Sequence, residues 1–322
     1  MDNKEIYKKT LGFSLRRFLW DFLAVIAFCA ITVGAFFIAE STANNGLIGL
    51  VIGLVLGGIA AYLILHYIAF TYKAGQIAMM TKGVTEDKLP DDVIGAGKKI
   101  VKERFTTVAA YYVVTGAIKG VFNQIGQGIS AVGNAVGGDT GGAIGSSISA
   151  VINTVIAYLC DCCLGWVFYR KDEKATKATC EGAVIFFKHG KTLLKNLGRV
   201  FGIGIISLLV IGGIFFGISY VIMINFPDFF NSLSQAIIEA GAETSTTLPD
   251  FIYNVNTLTL ISALVIGIAF WPSLHSFFVR PFVLVGVLRN FMKSGIDDIP
   301  TEESFKELDS KSKKFAKLHS EL

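Results

Sequence analysis

Charge is scarce in this chain. Of its 322 residues, 17% are Asp, Glu, Lys or Arg, while 52% are hydrophobic and the mean hydropathy is +0.58. Soluble domains carry about 25% charged residues, so the shortage excludes an ordinary soluble protein and points to an integral membrane protein. Histidine is scarcer still, and His66, His189, His275 and His319 lack ligand spacing. There is no HExxH and no GxSxG, so no catalytic set is legible and neither an enzyme, a metal site nor a cofactor is expected. The five cysteines are Cys29, Cys160, Cys162, Cys163 and Cys180, and none falls in an acidic connector, which excludes an extracellular disulfide framework. Cys160, Cys162 and Cys163 have no second cluster to close a tetrahedral zinc site. No long single-sign tract or aromatic-basic module is present, so nucleic acid is not an expected partner.

Apolar runs are what the sequence has in quantity. About 20 apolar residues cross a bilayer, and six runs approach that length: 18–39, 47–72, 106–121, 144–168, 200–224 and 258–288. The expected fold is therefore an all-α integral membrane protein of about six transmembrane helices. An amphipathic N-terminal segment, 1–17, precedes the 18–290 membrane domain, and an amphipathic tail, 291–322, follows it. The first run is too long for a signal-peptide core and reads as a retained span. Trp271-Pro272 and Pro281 interrupt the last run, so a kink or half-helix is expected there.

The connectors alternate in charge. The N-terminus carries Lys4, Lys8, Lys9, Arg16 and Arg17; residues 73–104 hold seven basic residues; and 160–199 are basic again. Residues 40–46, the region around Asp139, and 225–256 contain no Lys or Arg. By the positive-inside rule both termini are cytoplasmic, in a multi-pass protein of the plasma or cytoplasmic membrane. In the basic stretch, Phe186, Phe187, Leu193 and Leu194 are expected on the inner membrane surface. In the tail, Phe305, Leu308, Phe315, Leu318 and Leu322 fall near one helical face, to lie on the membrane or pack on the cytoplasmic connectors.

Glycines four apart, Gly49, Gly53 and Gly57, and again Gly133, Gly137, Gly141 and Gly145, read as rows where helices approach closely. Gly190-Lys191-Thr192 ends like a phosphate loop, but Ile185 holds the place of the leading glycine and no strand precedes it. Gly202-Ile-Gly204 and Gly126-Gln-Gly128 lack the strand-turn-helix setting of a dinucleotide fingerprint. The chemistry that remains is polar groups inside spans, where a charge costs on the order of 3 kcal/mol. Arg280 and His275 must face a pathway or a partner. Tyr111, Tyr112, Tyr158 and Trp271 present aromatic faces, which attract quaternary ammonium by roughly 2 kcal/mol when desolvated. These six are the candidate substrate-pathway residues.

From Tyr158 to Met292 the order of features resembles the choline transporter-like family. The features are the Cys162-Cys163 pair at the inner end of a span, the phrase from Phe186 and Phe187 through Leu193, Leu194 and Asn196 to Arg199, and Ser276-Phe277-Phe278 in the last span. The first outer link is only a few residues, and Leu288-Arg289-Asn290 stands where that family has a cysteine and an acid. The resemblance implies a transporter-like protein moving a small organic cation, choline-like, or a lipid-derived solute. The alternative is a membrane scaffold or accessory subunit that binds anionic lipid or a partner membrane protein without transport. In either case the bilayer is a partner, and a second copy of the chain or another membrane protein is the protein partner expected.

Overall fold

A computed structural model of the chain describes residues 1–105, 110, 112–121, 123–124, 141–195, 197–243 and 248–322. Among them the secondary structure is helical, without a strand. The helices are α1 Asn3–Ala43, α2 Gly46–Leu63, α3 Phe70–Thr85, α4 Val93–Arg104, α5 Tyr112–Val121, α6 Gly141–Tyr169, α7 Ala175–Lys195, α8 Leu197–Ser207, α9 Gly213–Met223, α10 Pro227–Glu243, α11 Val255–Leu274, α12 Arg280–Asp297, α13 Glu302–Asp309 and α14 Lys313–His319. Three π-helical turns, Ile64–Ala69, Leu208–Gly212 and His275–Val279, join α2 to α3, α8 to α9 and α11 to α12. Four helical runs are long and apolar enough to cross a membrane: Asn3–Ala43, Gly46–Thr85, Gly202–Met223 and Val255–Asp297. The chain is therefore a helical membrane protein. The expected third and fourth spans appear as the shorter apolar helices Tyr112–Val121 and Thr154–Tyr169.

The chain divides into two compact units, residues 1–197 with 281–322, and residues 198–280. In the first, α1 and α2 form a hairpin. Asn44 closes α1 in the left-handed region at φ 49°, and the Asn45 side chain accepts from the Ile48 N–H at 3.3 Å to cap α2. Gly46, Gly49, Gly53 and Gly57 are buried against α1. A Cβ at Gly53 would lie 2.7 Å from Thr32 Cα, and Thr32 Oγ1 donates to the Gly53 carbonyl at 3.2 Å. The first glycine row is thus a helix-packing face. Of the second row, Gly133 and Gly137 lie outside the described residues, as does Asp139.

Both long helices change character along their length. On α1, Leu19, Phe22, Leu23, Val25 and Ile26 are exposed, whereas Ile6, Thr10, Phe13 and Ser14 are buried. On the second, Val51, Leu54, Val55 and Tyr62 are exposed, whereas Ala74 and Ile77 through Met80 are buried. The exposed halves suit lipid; the buried halves enter a folded body. At 1.5 Å per residue each helix is about 60 Å long, twice the hydrocarbon thickness. Phe13 fills a notch made by two glycines: a Cβ at Gly75 or Gly97 would come within 2.7 or 2.5 Å of its ring. Gln76 Nε2 donates to Ser14 Oγ at 2.8 Å and to the Thr10 carbonyl at 3.3 Å. Residues 73–104, read from the sequence as a connector, are thus largely the core helices α3 and α4.

The same holds for α7. Ala178, Cys180, Ala183, Val184, Ile185 and Phe186 are buried, and Phe187 packs against Cys180, Val184, Phe305, Leu308 and Phe315. The expectation that Phe186 and Phe187 lie on the membrane surface is corrected: their face is taken by α6, α13 and α14. The side chains of Leu193 and Leu194 lie outside the described residues. The tail follows the second of its two expectations and packs on the body.

In the second unit, α11 packs at Gly267 against the end of the π turn Leu208–Gly212 and the start of α9: a Cβ on Gly267 would lie 2.6 Å from the Gly212 carbonyl oxygen and 3.0 Å from Phe216 Cβ. Phe215 stacks on Phe270 at 4.7 Å. In the stretch 225–256, expected as an acidic connector, the described residues include α10 and the turn Asp250–Ile252, packed around Phe230, Ile252 and Leu258. The expected break at Trp271-Pro272 takes another form. Residues 255–297 stay helical, with Pro272 inside α11 and the π turn His275–Val279 next to it. A π turn re-forms the ladder that a missing N–H interrupts.

Candidate functional site

The second unit gathers two of the expected pathway residues on a third that sequence reasoning passed over. Trp271 Nε1 donates to Ser207 Oγ at 2.9 Å, and the same oxygen lies 2.8 Å from His275 Nδ1 and 2.7 Å from the Gly204 carbonyl. Trp271 and His275 also face each other with ring centroids 5.2 Å apart. Both helices carrying the cluster turn to π geometry at it: Ser207 immediately precedes Leu208–Gly212, and His275 opens His275–Val279. A hydroxyl has one hydrogen. When Ser207 donates to the Gly204 carbonyl, the His275 Nδ1 must carry the proton and donate to Ser207; when Ser207 donates to Nδ1, the ring is the other tautomer. The arrangement therefore holds the imidazole with or without a proton on Nδ1. Ser207 and His275 lie at the distance of a nucleophile and its base, but the Trp271 N–H draws on the serine oxygen, which suits holding a polar group better than attack. Arg280 follows at the end of the π turn, half-buried.

In the first unit Tyr112 enters a different group. Its ring stacks on His66 at 3.6 Å and 9°, and His66 stacks in turn on Tyr62 at 4.5 Å. Tyr112 Oη donates to the His66 carbonyl at 2.9 Å. That carbonyl belongs to the π turn Ile64–Ala69, where the wider ladder leaves oxygens available for other partners. Tyr158 is elsewhere, buried on α6. Tyr111 lies outside the described residues. The six expected residues thus resolve into a serine-centred cluster, a histidine sandwich and a core tyrosine.

The strongest polar network is one the sequence did not expose. Glu181, on α7, is buried and accepts from Trp166 Nε1 at 2.8 Å, from Arg170 Nε at 2.9 Å and from Arg170 Nη2 at 3.1 Å. The Glu181 hydrogen bonds raise the Arg170 pKa above its ordinary value. Asp161, also buried, pairs with Lys73 Nζ at 2.8 Å. Cys163 Sγ donates to the Thr179 carbonyl at 3.6 Å, and burial pushes the Cys180 thiol up to about 12. Cys162, Cys163 and Cys180 are core residues, whereas Cys29 is exposed. Among the described residues no group of His, Cys, Asp or Glu has the arrangement of a metal site.

No family model, curated protein or solved structure matches the chain. The class of protein rests on the four apolar helices, and its activity on the geometry of these groups.

Proposed function

We propose that the chain is a six-span protein of a plasma or cytoplasmic membrane, with both termini in the cytoplasm, that works as a scaffold or accessory subunit through a helical body held against an anionic leaflet. The observation that carries this reading is the change of exposure along α1 and along α2 into α3. Both helices pass from lipid-suited to buried surface at one level, near Arg16 and Arg17 on α1 and Tyr72 and Lys73 on α3. Cations collect there: Arg16 is exposed, and Lys98 Nζ lies 3.1 Å from Tyr72 Oη and 4.5 Å above that ring. A basic residue at an anionic surface contributes about 1 kcal/mol. Replacing Arg16, Arg17 and Lys98 together by Gln should weaken retention of anionic lipid by about 3 kcal/mol, more than a hundredfold. The test is the phospholipid bound to full-length protein purified in mild detergent, read by mass spectrometry. Equal anionic lipid on wild type and variant would refute the reading.

A second reading, transport of a small choline-like organic cation or a lipid-derived solute, is favoured by the polar cluster of Ser207, Trp271 and His275 inside apolar helices, where such groups mark pathways. Uptake into proteoliposomes by wild type, Trp271→Ala and Arg280→Ala proteins tests it; equal flux in all three removes those residues from a pathway.

A further inference from the structure

The body of the first unit holds a cleft of about 470 Å³ between α3, α4 and the end of α6. Its apolar floor includes Ala78, Ile100 and Phe168, and its polar wall includes Arg104, Tyr169 and Lys171. The carboxylates that reach it are already engaged: Glu86 pairs with Lys82 at 3.1 Å and Glu103 with Lys99 at 3.8 Å. Arg104 makes no ion pair with a described residue, although the Asp172 carboxylate acts on its charge. Its Nη1 donates to the Lys171 and Glu173 carbonyls at 3.3 and 2.7 Å and its Nη2 to the Arg170 carbonyl at 3.2 Å, while its Nε is covered and without an acceptor. The guanidinium thus satisfies the carbonyls of the turn between α6 and α7, which would otherwise repel an anion. Beside it, Lys171 is exposed and makes no ion pair with a described residue. Tyr169 adds a phenol hydroxyl on an exposed side chain.

We propose that this cleft binds a small, water-soluble phosphate ester. The Lys171 ammonium and the Tyr169 phenol are the donors at this cleft, and the Arg104 guanidinium, engaged with backbone carbonyls, adds positive charge beside them, a combination that suits a phosphate dianion. The volume falls in the range of small-molecule sites and leaves room beyond one phosphate for an organic part against Ile100 and Phe168. A bilayer lipid does not fit the level. Ala78 to Glu86 lie five to thirteen residues beyond Lys73, about 8 to 20 Å further along the helix axis, past the reach of a headgroup. This inference rests on the body alone and does not depend on the lipid-collar reading, which uses Arg16, Arg17 and Lys98.

The test uses full-length protein in nanodiscs of phosphatidylcholine, with inorganic phosphate and glycerol 3-phosphate as probes against chloride at equal ionic strength. Millimolar glycerol 3-phosphate should raise the unfolding midpoint by a few degrees and shield Lys171 from an amine-reactive label read by mass spectrometry. Lys171→Glu should weaken the apparent affinity about tenfold and Tyr169→Phe severalfold; neither side chain is part of the core, so both variants should fold. No midpoint change over chloride, or an equal change in Lys171→Glu, would overturn the proposal. So would nanodiscs with anionic lipid that shield Lys171 as well without soluble phosphate, since the ligand would then be a headgroup.

Discussion

Glu181 is the residue whose loss the body should tolerate least. In Glu181→Ala the Trp166 indole N–H, fully buried beside it, loses its acceptor, which costs about 1–3 kcal/mol. Arg170 loses two hydrogen bonds but keeps Glu173 at 3.2 Å, and its side chain is 24% exposed, so water softens the second cost. Breaking a buried ion pair costs about 3–5 kcal/mol when the remaining charge is stranded; here the lower end applies, about 3 kcal/mol in all. For a body of this size that is a fall of roughly 6–12 °C in unfolding midpoint. Glu181→Gln keeps an oxygen acceptor for one donor and should lose about half as much. Thermal unfolding of the detergent-solubilised protein, followed by the red shift of tryptophan emission, measures both variants. A loss below about 1 kcal/mol in Glu181→Ala, or equal losses in the two, would refute the claim that this carboxylate organises α6 and α7.

Two further outcomes follow from the same body. Phe13→Ala empties the notch between Gly75 and Gly97 and should cost about 3–5 kcal/mol, whereas Phe13→Leu should cost markedly less; denaturant midpoints distinguish them. Asp298 accepts from Lys188 Nζ, 2.7 Å from Oδ2, and from His189 Nε2 at 3.2 Å, which hold its carboxyl below the ordinary value, Lys188 most. Its folded value being depressed, the contribution is present above the unfolded carboxylate value of about 4 and is lost as pH falls through the lower folded value. The pair is well exposed, so the effect should be about 0.2–1 kcal/mol. Asp298→Asn should abolish that part of the acid dependence, and an unchanged stability profile between pH 5 and 2 would contradict it.

The membrane class was legible because apolar run length is a one-dimensional property. So was the Gly49, Gly53 and Gly57 row, since spacing alone puts those residues on one face. The body was not. The hydropathy of the second run falls at Lys73, and that fall looks like the end of a helix; the helix continues because Gln76 and Lys73 find partners on α1 and α6, which no local window contains. Glu181 reads as one more charge in a basic stretch until Trp166 and Arg170 are brought to it. Ser207 is a lone serine in an apolar run, with no local sign of its role. His275 was reached by a general argument, that lipid leaves polar groups unsatisfied, and Trp271 by another, that aromatic faces attract a cation. Tyr112 and Tyr158 were named by the aromatic argument, yet their surroundings proved to be His66 and a buried core.

The π turn Ile64–Ala69 bears on how sequence variation would act. A π turn spends one residue more than the α-helical ladder needs, so every side chain after it is re-phased by about 100° around the axis. Upstream, the glycine face of α2 is turned to α1; downstream, Ala74, Ile77 and Ala78 are turned into the body. The two faces share one rod only because of that extra residue. A single-residue deletion between positions 64 and 69 would therefore act as a rotation: neither half would change composition, but the buried positions of α3 would turn by about 100° out of register with α1, α4 and α6.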